Sequence, residues 1–165
     1  MAETLTAGDS VIDFTLRDLD GRVFDTRAAR DQGLLLFAFW KKGCGTCRYT
    51  MPFLQRFADA YVKEGSFQLH GVSQDNAEET RAFMEELSIT FPQALDENLD
   101  ASEAYGLVSV PGIYLVNSTN SILRHAPAFA SAELNEMARL VAERQGREYV
   151  PIVRPEDDAP AIKPG

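Results

Sequence analysis

An unbroken apolar run at positions 34–40 is the strongest hydrophobic pattern in this chain. The run is bounded by Gly33 and Lys41, and its length fits a strand that is buried on both faces of a sheet. We therefore predict a central strand at 34–40. Shorter apolar runs predict further strands at 67–72, 91–95, 113–116 and 121–123.

The residues before this run predict a β-hairpin. Positions 11–16 alternate between apolar and polar residues, Asp20-Gly21 is a strong turn signal, and Val23-Phe24 fits the returning strand. The polar residues 25–32 predict a loop or a short helix.

Helical periodicity separates the predicted strands. From Thr46 to about Glu64, apolar residues recur every three or four positions, and Pro52 is expected to kink this helix. The same periodicity predicts helices at 77–87, 99–105 and 131–145. Ser131 is expected to cap the last of these helices. This alternation of strands and helices predicts an α/β sandwich with helices on both faces of the sheet.

The length of 165 residues fits one domain, which we expect to span residues 1–148. Residues 149–165 contain four prolines and the acidic run 156–158. This composition predicts a Pro-rich C-terminal tail that is extended and partly disordered.

The net charge of −9 argues against a nucleic-acid partner and against a polybasic membrane anchor. No apolar run approaches the roughly 18 residues that a membrane span needs. The first ten residues lack the basic and apolar regions of a signal peptide. We therefore expect the chain as given to be cytoplasmic, or periplasmic if a native leader or anchor was removed.

The two cysteines, Cys44 and Cys47, are the candidate catalytic residues. The sequence CGTC follows the predicted central strand and begins a predicted helix, where unpaired N–H groups and the helix dipole stabilise a thiolate. Lys41, Lys42 and Arg48 add positive charge nearby. We predict that Cys44 is exposed and attacks a disulfide, and that Cys47, one helical turn deeper, resolves the mixed disulfide.

Three alternatives to redox chemistry are less favoured by the residues. A zinc site would need about four ligands, and the remaining candidates, His70 and His125, are distant in sequence. A purely structural disulfide would close a very small loop, and two unrelated buried cysteines would be a coincidence of spacing. We expect no metal and no cofactor, a packed His70 in a strand, and an exposed His125 after a hairpin.

Several short motifs carry a family resemblance over roughly residues 8–145. They are Asp13-Phe14-Thr15-Leu16 with Asp20-Gly21, Phe39-Trp40, Cys44 and Cys47 with Arg48, Met51-Pro52, and Val110-Pro111-Gly112. On these motifs the chain resembles the thioredoxin superfamily, in particular its TlpA-like and AhpC/TSA-related redoxins. The resemblance implies a thioredoxin-like fold, with a central mixed sheet, helices on both faces and an N-terminal β-hairpin extension.

The resemblance also implies roles for residues around the dithiol. Pro111 is expected to follow a cis peptide bond and to face the cysteines, which would present the backbone of Val110 to an extended substrate. Trp40 and Gly43 are the other expected substrate-binding residues. The residues expected to tune the acidity of the dithiol are Gly45, Thr46 and Arg48.

Four positions depart from the family pattern. Thioredoxins carry a buried Asp where this chain has Ala38, and TlpA-like reductases often carry a Glu where it has Thr50. A Trp commonly stands at the position of Gly43, and a Pro at that of Thr46. The pattern implies that no carboxylate assists the deprotonation of Cys47.

These observations predict a thiol–disulfide oxidoreductase that reduces protein disulfides and is recycled by a second redox partner. One alternative is a peroxiredoxin-like thiol peroxidase, whose motif would place Pro at 40 and Thr at 44, where this chain has Trp40 and Cys44. Another is a thioredoxin-fold adaptor that binds a partner without turnover. A third is a dedicated redox donor or acceptor in cytochrome c assembly, which only the TlpA-like resemblance suggests.

Overall fold

A five-stranded mixed sheet forms the centre of the protein in the computed structural model, which describes residues 3–165. The strands are β1 (Thr15–Arg17), β2 (Val23–Asp25), β3 (Leu34–Trp40), β4 (Phe67–Ser73), β5 (Gln93–Leu95), β6 (Gly112–Val116), β7 (Ile122–Ala126), β8 (Phe129–Ala130) and β9 (Ile162–Lys163). The helices are α1 (Thr26–Asp31), α2 (Gly45–Tyr61), α3 (Ala77–Leu87), α4 (Asp100–Ala104) and α5 (Ser131–Gln145). The central sheet has the order β5-β4-β3-β6-β7, while β1 pairs with β2 and β8 pairs with β9.

The predicted central strand is confirmed as β3, and all seven of its residues are buried. It runs parallel to β4 and antiparallel to β6, with Ala38 opposite Gly71 on one side and Ile113 on the other. Because successive side chains point to opposite faces of a sheet, a strand buried at every position must be covered on both faces.

The N-terminal hairpin is present but shorter than the alternating pattern predicts. Only residues 15–17 pair with 23–25, across the turn that contains Gly21 at φ 78°. The backbone N–H of Phe14 instead donates to the Thr26 hydroxyl, and that of Val11 donates to Asn120. The first part of the predicted strand therefore joins the domain through loops, because its partners come from distant parts of the chain.

The helix boundaries agree closely with the periodicity. Asn76 caps α3, and its side chain accepts a hydrogen bond from Glu79 N–H. Pro52 lies inside α2. The prediction that Ser131 caps α5 is wrong, because the N-cap is Ala130 and the Ser131 hydroxyl donates to the carbonyl of Pro160. No helix among residues 3–165 is long and apolar enough to cross a bilayer.

A buried arginine ties the N-terminal segment to the sheet. The Arg30 side chain is 3% exposed and forms a bidentate pair with Asp13, at 3.0 Å from Nε and 2.7 Å from Nη2. Its Nη1 also donates to the carbonyls of Asn117 and Ser118. The guanidinium lowers the pKa of Asp13, and the hydrogen bond from Thr26 adds to this effect. The pair therefore joins the N-terminal segment, α1 and the β6–β7 turn.

The two histidines are both packed against aromatic rings. His70 stacks on Phe24 with ring centroids 4.2 Å apart, as expected of a packed strand residue. His125 was expected to be exposed, and this is wrong. It lies within β7, partly buried, and stacks on Tyr114 at 4.3 Å. The strand continues past the predicted end at 123 because residues 124–126 pair with β6.

We expect the stability of the fold to decrease between pH 7 and pH 5 through His70. Burial lowers its pKa to about 4, from 6.5 for an ordinary histidine. Below pH 6.5 the unfolded chain therefore binds a proton that the folded chain does not, and the free energy of unfolding falls by about 2 kcal/mol by pH 5. Urea unfolding of the wild type and of His70→Phe at both pH values checks this. The variant should lose about 2 kcal/mol less, and equal losses would contradict the prediction.

The C-terminal residues 149–165 follow a fixed course over the domain, which differs from the expected partly disordered tail. Ile152 is completely buried, and the Asn135 side chain bonds to the backbone of Ile152 and Val153. Arg56 forms a bidentate pair with Asp157. These contacts join residues far apart in sequence, so local composition did not reveal them.

Candidate active site

The turn between β3 and α2 places Cys44 directly before Gly45, the first residue of the helix. Cys44 is the N-cap residue, with extended backbone angles of φ −101° and ψ 112°. Its Sγ accepts a hydrogen bond from the backbone N–H of Cys47 at 3.0 Å. One of the unpaired N–H groups of the helix therefore points at the Cys44 sulfur, where it stabilises a thiolate.

The two cysteines differ in exposure as the sequence predicts. Cys44 is partly exposed, Cys47 is completely buried, and both are free thiols. Burial raises the pKa of Cys47, its hydrogen bond with Cys44 raises it further, and a hydrogen bond from the backbone of Lys41 opposes both effects. Ala38, on the neighbouring strand, is fully buried and provides no carboxylate. Cys47 is therefore a protected, protonated thiol next to an accessible sulfur.

A distant loop completes the surroundings of Cys44. The Val110–Pro111 peptide bond is cis, as the resemblance implies. The carbonyl of Val110 lies 3.4 Å from the Cys44 Sγ, although the residues are 66 positions apart. The backbone just before β6 therefore lies directly beside the attacking sulfur.

The three residues expected to tune the dithiol have different surroundings. Gly45 is exposed, and no atom lies within 4 Å of the position that a Cβ would take there; the same holds for Gly43. Thr46 is buried, and its hydroxyl donates to the carbonyl of Pro164 at 2.5 Å. Arg48 forms an ion pair with Glu86 of α3. The charge of Arg48 is therefore engaged by a neighbouring helix.

Trp40 does not form a surface for substrate, in contrast to the sequence-based expectation. The side chain is 1% exposed, and its ring lies 4.6 Å from that of Phe83. Its Nε1–H donates to Gln93 Oε1 at 2.7 Å. Trp40 is therefore a core residue at the end of β3, and the N–H of its indole ring is hydrogen-bonded inside the protein.

Two contacts of the predicted site residues were missed by sequence reasoning. Gln93, the buried partner of Trp40, was detectable as a polar residue inside a predicted strand. The approach of Pro164 to Thr46 had no signal in the sequence, because 118 positions separate them.

Among residues 3–165, no group of three or more His, Cys, Asp or Glu side chains is arranged to hold a metal ion.

Known proteins have sequences similar to that of this chain. The model of the AhpC/TSA family matches residues 7–126. Thiol-disulfide oxidoreductase ResA of Halalkalibacterium halodurans is 27% identical over 137 residues, which cover 82% of this chain and 77% of that protein. The protein of the same name from Geobacillus thermodenitrificans is 27% identical over 118 residues, covering 72% and 67%.

Solved structures confirm the thioredoxin-like fold. The thioredoxin domain of a thiol-disulfide oxidoreductase from Bacteroides vulgatus superimposes with a TM-score of 0.68 at 28% identity, covering 76% of this chain and 91% of that domain. A putative protein disulfide isomerase from Bacteroides thetaiotaomicron gives a TM-score of 0.79 at 20% identity, covering 88% and 96%.

Proposed function

The chain belongs to the AhpC/TSA family, and from this premise we propose that it is a thiol–disulfide oxidoreductase in which Cys44 attacks and Cys47 resolves. The observation that carries the proposal is the difference between the two thiols. Cys44 is partly exposed at the N-terminus of α2, and Cys47 is buried behind it. The relatives named thiol-disulfide oxidoreductase support the same reaction.

The proposed reaction has two exchange steps. In the first, the Cys44 thiolate attacks one sulfur of a substrate disulfide, the substrate S–S bond breaks, and the other substrate sulfur leaves as a thiolate and takes a proton. In the second, Cys47 loses its proton and attacks Cys44, which forms the Cys44–Cys47 disulfide and releases the second substrate thiol. The substrate gains two electrons and two protons, and a separate redox partner returns the enzyme to the dithiol.

The proposed substrate is a protein disulfide in an extended segment that lies beside Val110 and Pro111. The carbonyl of Val110, 3.4 Å from the Cys44 sulfur, is a backbone acceptor at the point where the substrate sulfur must approach. Gly43 and Gly45 are exposed on either side of Cys44, so no side chain of theirs blocks this approach.

Peroxide reduction is less well supported as the main activity. The resembled peroxidase motif places its reactive cysteine at Cys47. That thiol is completely buried, and its pKa is raised by burial. A peroxidatic cysteine requires the opposite properties, an accessible thiol of low pKa.

The reducing direction and the cytoplasmic location expected from the sequence are linked proposals, and the reduction potential of the dithiol tests both. The protein is equilibrated in graded dithiothreitol or glutathione buffers, and free thiols are counted by alkylation and mass spectrometry. We expect one internal disulfide with a potential near the thioredoxin value of about −270 mV.

Cys44→Ser is the control for this titration, because it retains one thiol and cannot form the internal disulfide. A reduction potential of about −120 mV would instead indicate an oxidase and an oxidising compartment. If no internal disulfide forms at any potential, the proposed function is wrong.

A further inference from the structure

The last two residues of the chain, Pro164 and Gly165, lie against residues of the candidate active site. We call residues 160–165 the C-terminal strap. Its strand β9 pairs with β8, with Lys163 opposite Phe129 and Ile162 opposite Ala130. Beyond β9, the carbonyl of Pro164 accepts the hydrogen bond from Thr46, which lies between the two cysteines.

The end of the strap reaches the same backbone that the proposed substrate would use. Gly165 packs so closely on Val110 that a Cβ at this position would collide with the Val110 carbonyl and come within 3.1 Å of the Pro111 ring. That carbonyl also faces the Cys44 sulfur. Pro164 and Gly165 thus lie against Thr46 and the Val110 backbone, at the place beside Cys44 that we call the substrate groove.

We propose that the C-terminal strap is an internal occupant of the substrate groove, and that a protein disulfide must displace it in order to reach Cys44. This inference rests on the proposed function, because it takes the groove beside Val110 as the place where an extended substrate binds. The strap would then select against protein substrates that cannot displace it, while small disulfides reach the partly exposed Cys44 directly.

The strap is held by hydrogen bonds, including one from the Ser131 N–H to the Ala161 carbonyl, but it is less buried than the residues that precede it. Ile152 is completely buried and Asp157 pairs with Arg56, so residues 150–157 are anchored in the domain. Within the strap, Ile162 is 66% exposed. Segments with few buried apolar contacts open locally while the rest of the fold stays intact. The strap can therefore leave the groove without unfolding its anchor.

Lys163 of the strap lies over an aromatic side chain of α2. Tyr49, Phe53 and Phe129 form an aromatic cluster with ring centroids 5.0–5.5 Å apart. The Lys163 ammonium lies 5.7 Å from the Tyr49 ring centroid, a cation–π distance. Phe53 and Phe129 belong to the buried core, whereas Tyr49 is partly exposed. When the strap leaves, the Tyr49 ring becomes available to an extended segment of a substrate, and a basic residue at the position of Lys163 would be favoured.

Removal of the strap tests the proposal directly. A chain that ends at Ala159 keeps the anchor, and its activity is compared with that of the full chain on insulin and on bis(2-hydroxyethyl) disulfide. We expect kcat/KM for insulin to rise about tenfold, because the competing occupant no longer reduces the fraction of binding-competent protein. For the small disulfide, kcat/KM should change by less than about twofold, because it does not need the groove.

A second variant leaves the chain at full length. The double substitution Ser131→Ala with Lys163→Ala removes the hydrogen bond to Pro160 and the contact with Tyr49, and touches neither cysteine. We expect kcat/KM for insulin to rise about threefold, since the open fraction increases. Lys63→Ala, at an exposed position in the turn after α2, is the matched control and should behave as the wild type.

Adding a synthetic peptide of residues 159–165 to the truncated chain should restore the lower rate with insulin. The proposal is overturned if truncation leaves the insulin rate unchanged, or if it lowers the rates for both substrates together, which would make the strap a support of the dithiol. If the full chain and the truncated chain turn over neither disulfide, the proposed function itself fails.

Discussion

Replacement of Cys44 by serine should reduce kcat/KM for protein disulfides by about a thousandfold or more. The sulfur at the N-terminus of α2 is the only partly exposed thiol among the described residues, since Cys47 is completely buried. Without it, the covalent route through a mixed disulfide disappears. Insulin reduction with dithiothreitol as the electron donor, corrected for the uncatalysed rate, measures this loss.

Cys47→Ser is the matched variant, because it keeps the attacking thiol and removes the resolving one. It should stop turnover after the first step and accumulate a mixed disulfide between Cys44 and the substrate, visible by non-reducing electrophoresis and mass spectrometry. If the wild type retains as much partner as Cys47→Ser, the protein is an adaptor that binds without turnover. If Cys44→Ser keeps most of the activity, the assignment of the nucleophile is wrong.

Replacement of Arg30 by alanine should destabilise the fold by about 3 kcal/mol, the largest effect that we expect from a residue outside the core. The substitution removes a guanidinium that is 3% exposed and leaves Asp13 without its bidentate partner. It also removes the donor to the carbonyls of Asn117 and Ser118. Urea unfolding at pH 7 gives the change in the free energy of unfolding.

Arg27→Ala is the control for this measurement, because it lies on the same helix in an exposed pair with Asp31 at 3.9 Å. Exposed pairs contribute little, so its effect should stay within about 0.5 kcal/mol. If Arg30→Ala lowers the free energy of unfolding no more than Arg27→Ala does, the pair of Arg30 with Asp13 does not hold the N-terminal segment. Exchange of both Asp13 and Arg30 for apolar residues of similar volume should cost less than Arg30→Ala alone, since no unpaired charge remains.

Hydrophobic periodicity along the chain was sufficient to predict the central elements of the fold. The run at 34–40 is β3 with unchanged bounds, and the pattern at 77–87 is α3. These elements were predictable because each follows from a local period of two or 3.6 residues and from the length of an apolar run. The second strand of the β6–β7 hairpin was harder, since β7 continues through the polar residues Arg124 and His125, which are paired with β6.

The two cysteines and their relative exposure were also predictable from the sequence. A CxxC motif directly after a buried strand places the first sulfur at a helix N-terminus and the second one turn inside. The arrangement of Cys44 as N-cap and Cys47 as a buried thiol follows from this spacing. The resemblance to redoxins, not the spacing, supplied the cis bond before Pro111 and its position beside the dithiol.

Apart from Pro111, tertiary packing decided the exposure and partners of the residues around the dithiol. Trp40 is buried because Gln93 offers its indole N–H a partner from another strand, and the charge of Arg48 is engaged because Glu86 faces it from α3. Ile152 and Pro164 place the C-terminal residues on the domain through contacts with side chains about a hundred positions away. Sequence by itself determined the elements and the chemistry of the two thiols, because both depend on neighbours in the chain. The exposure and the partners of the surrounding residues depend on neighbours in space, and only the folded structure brings those together.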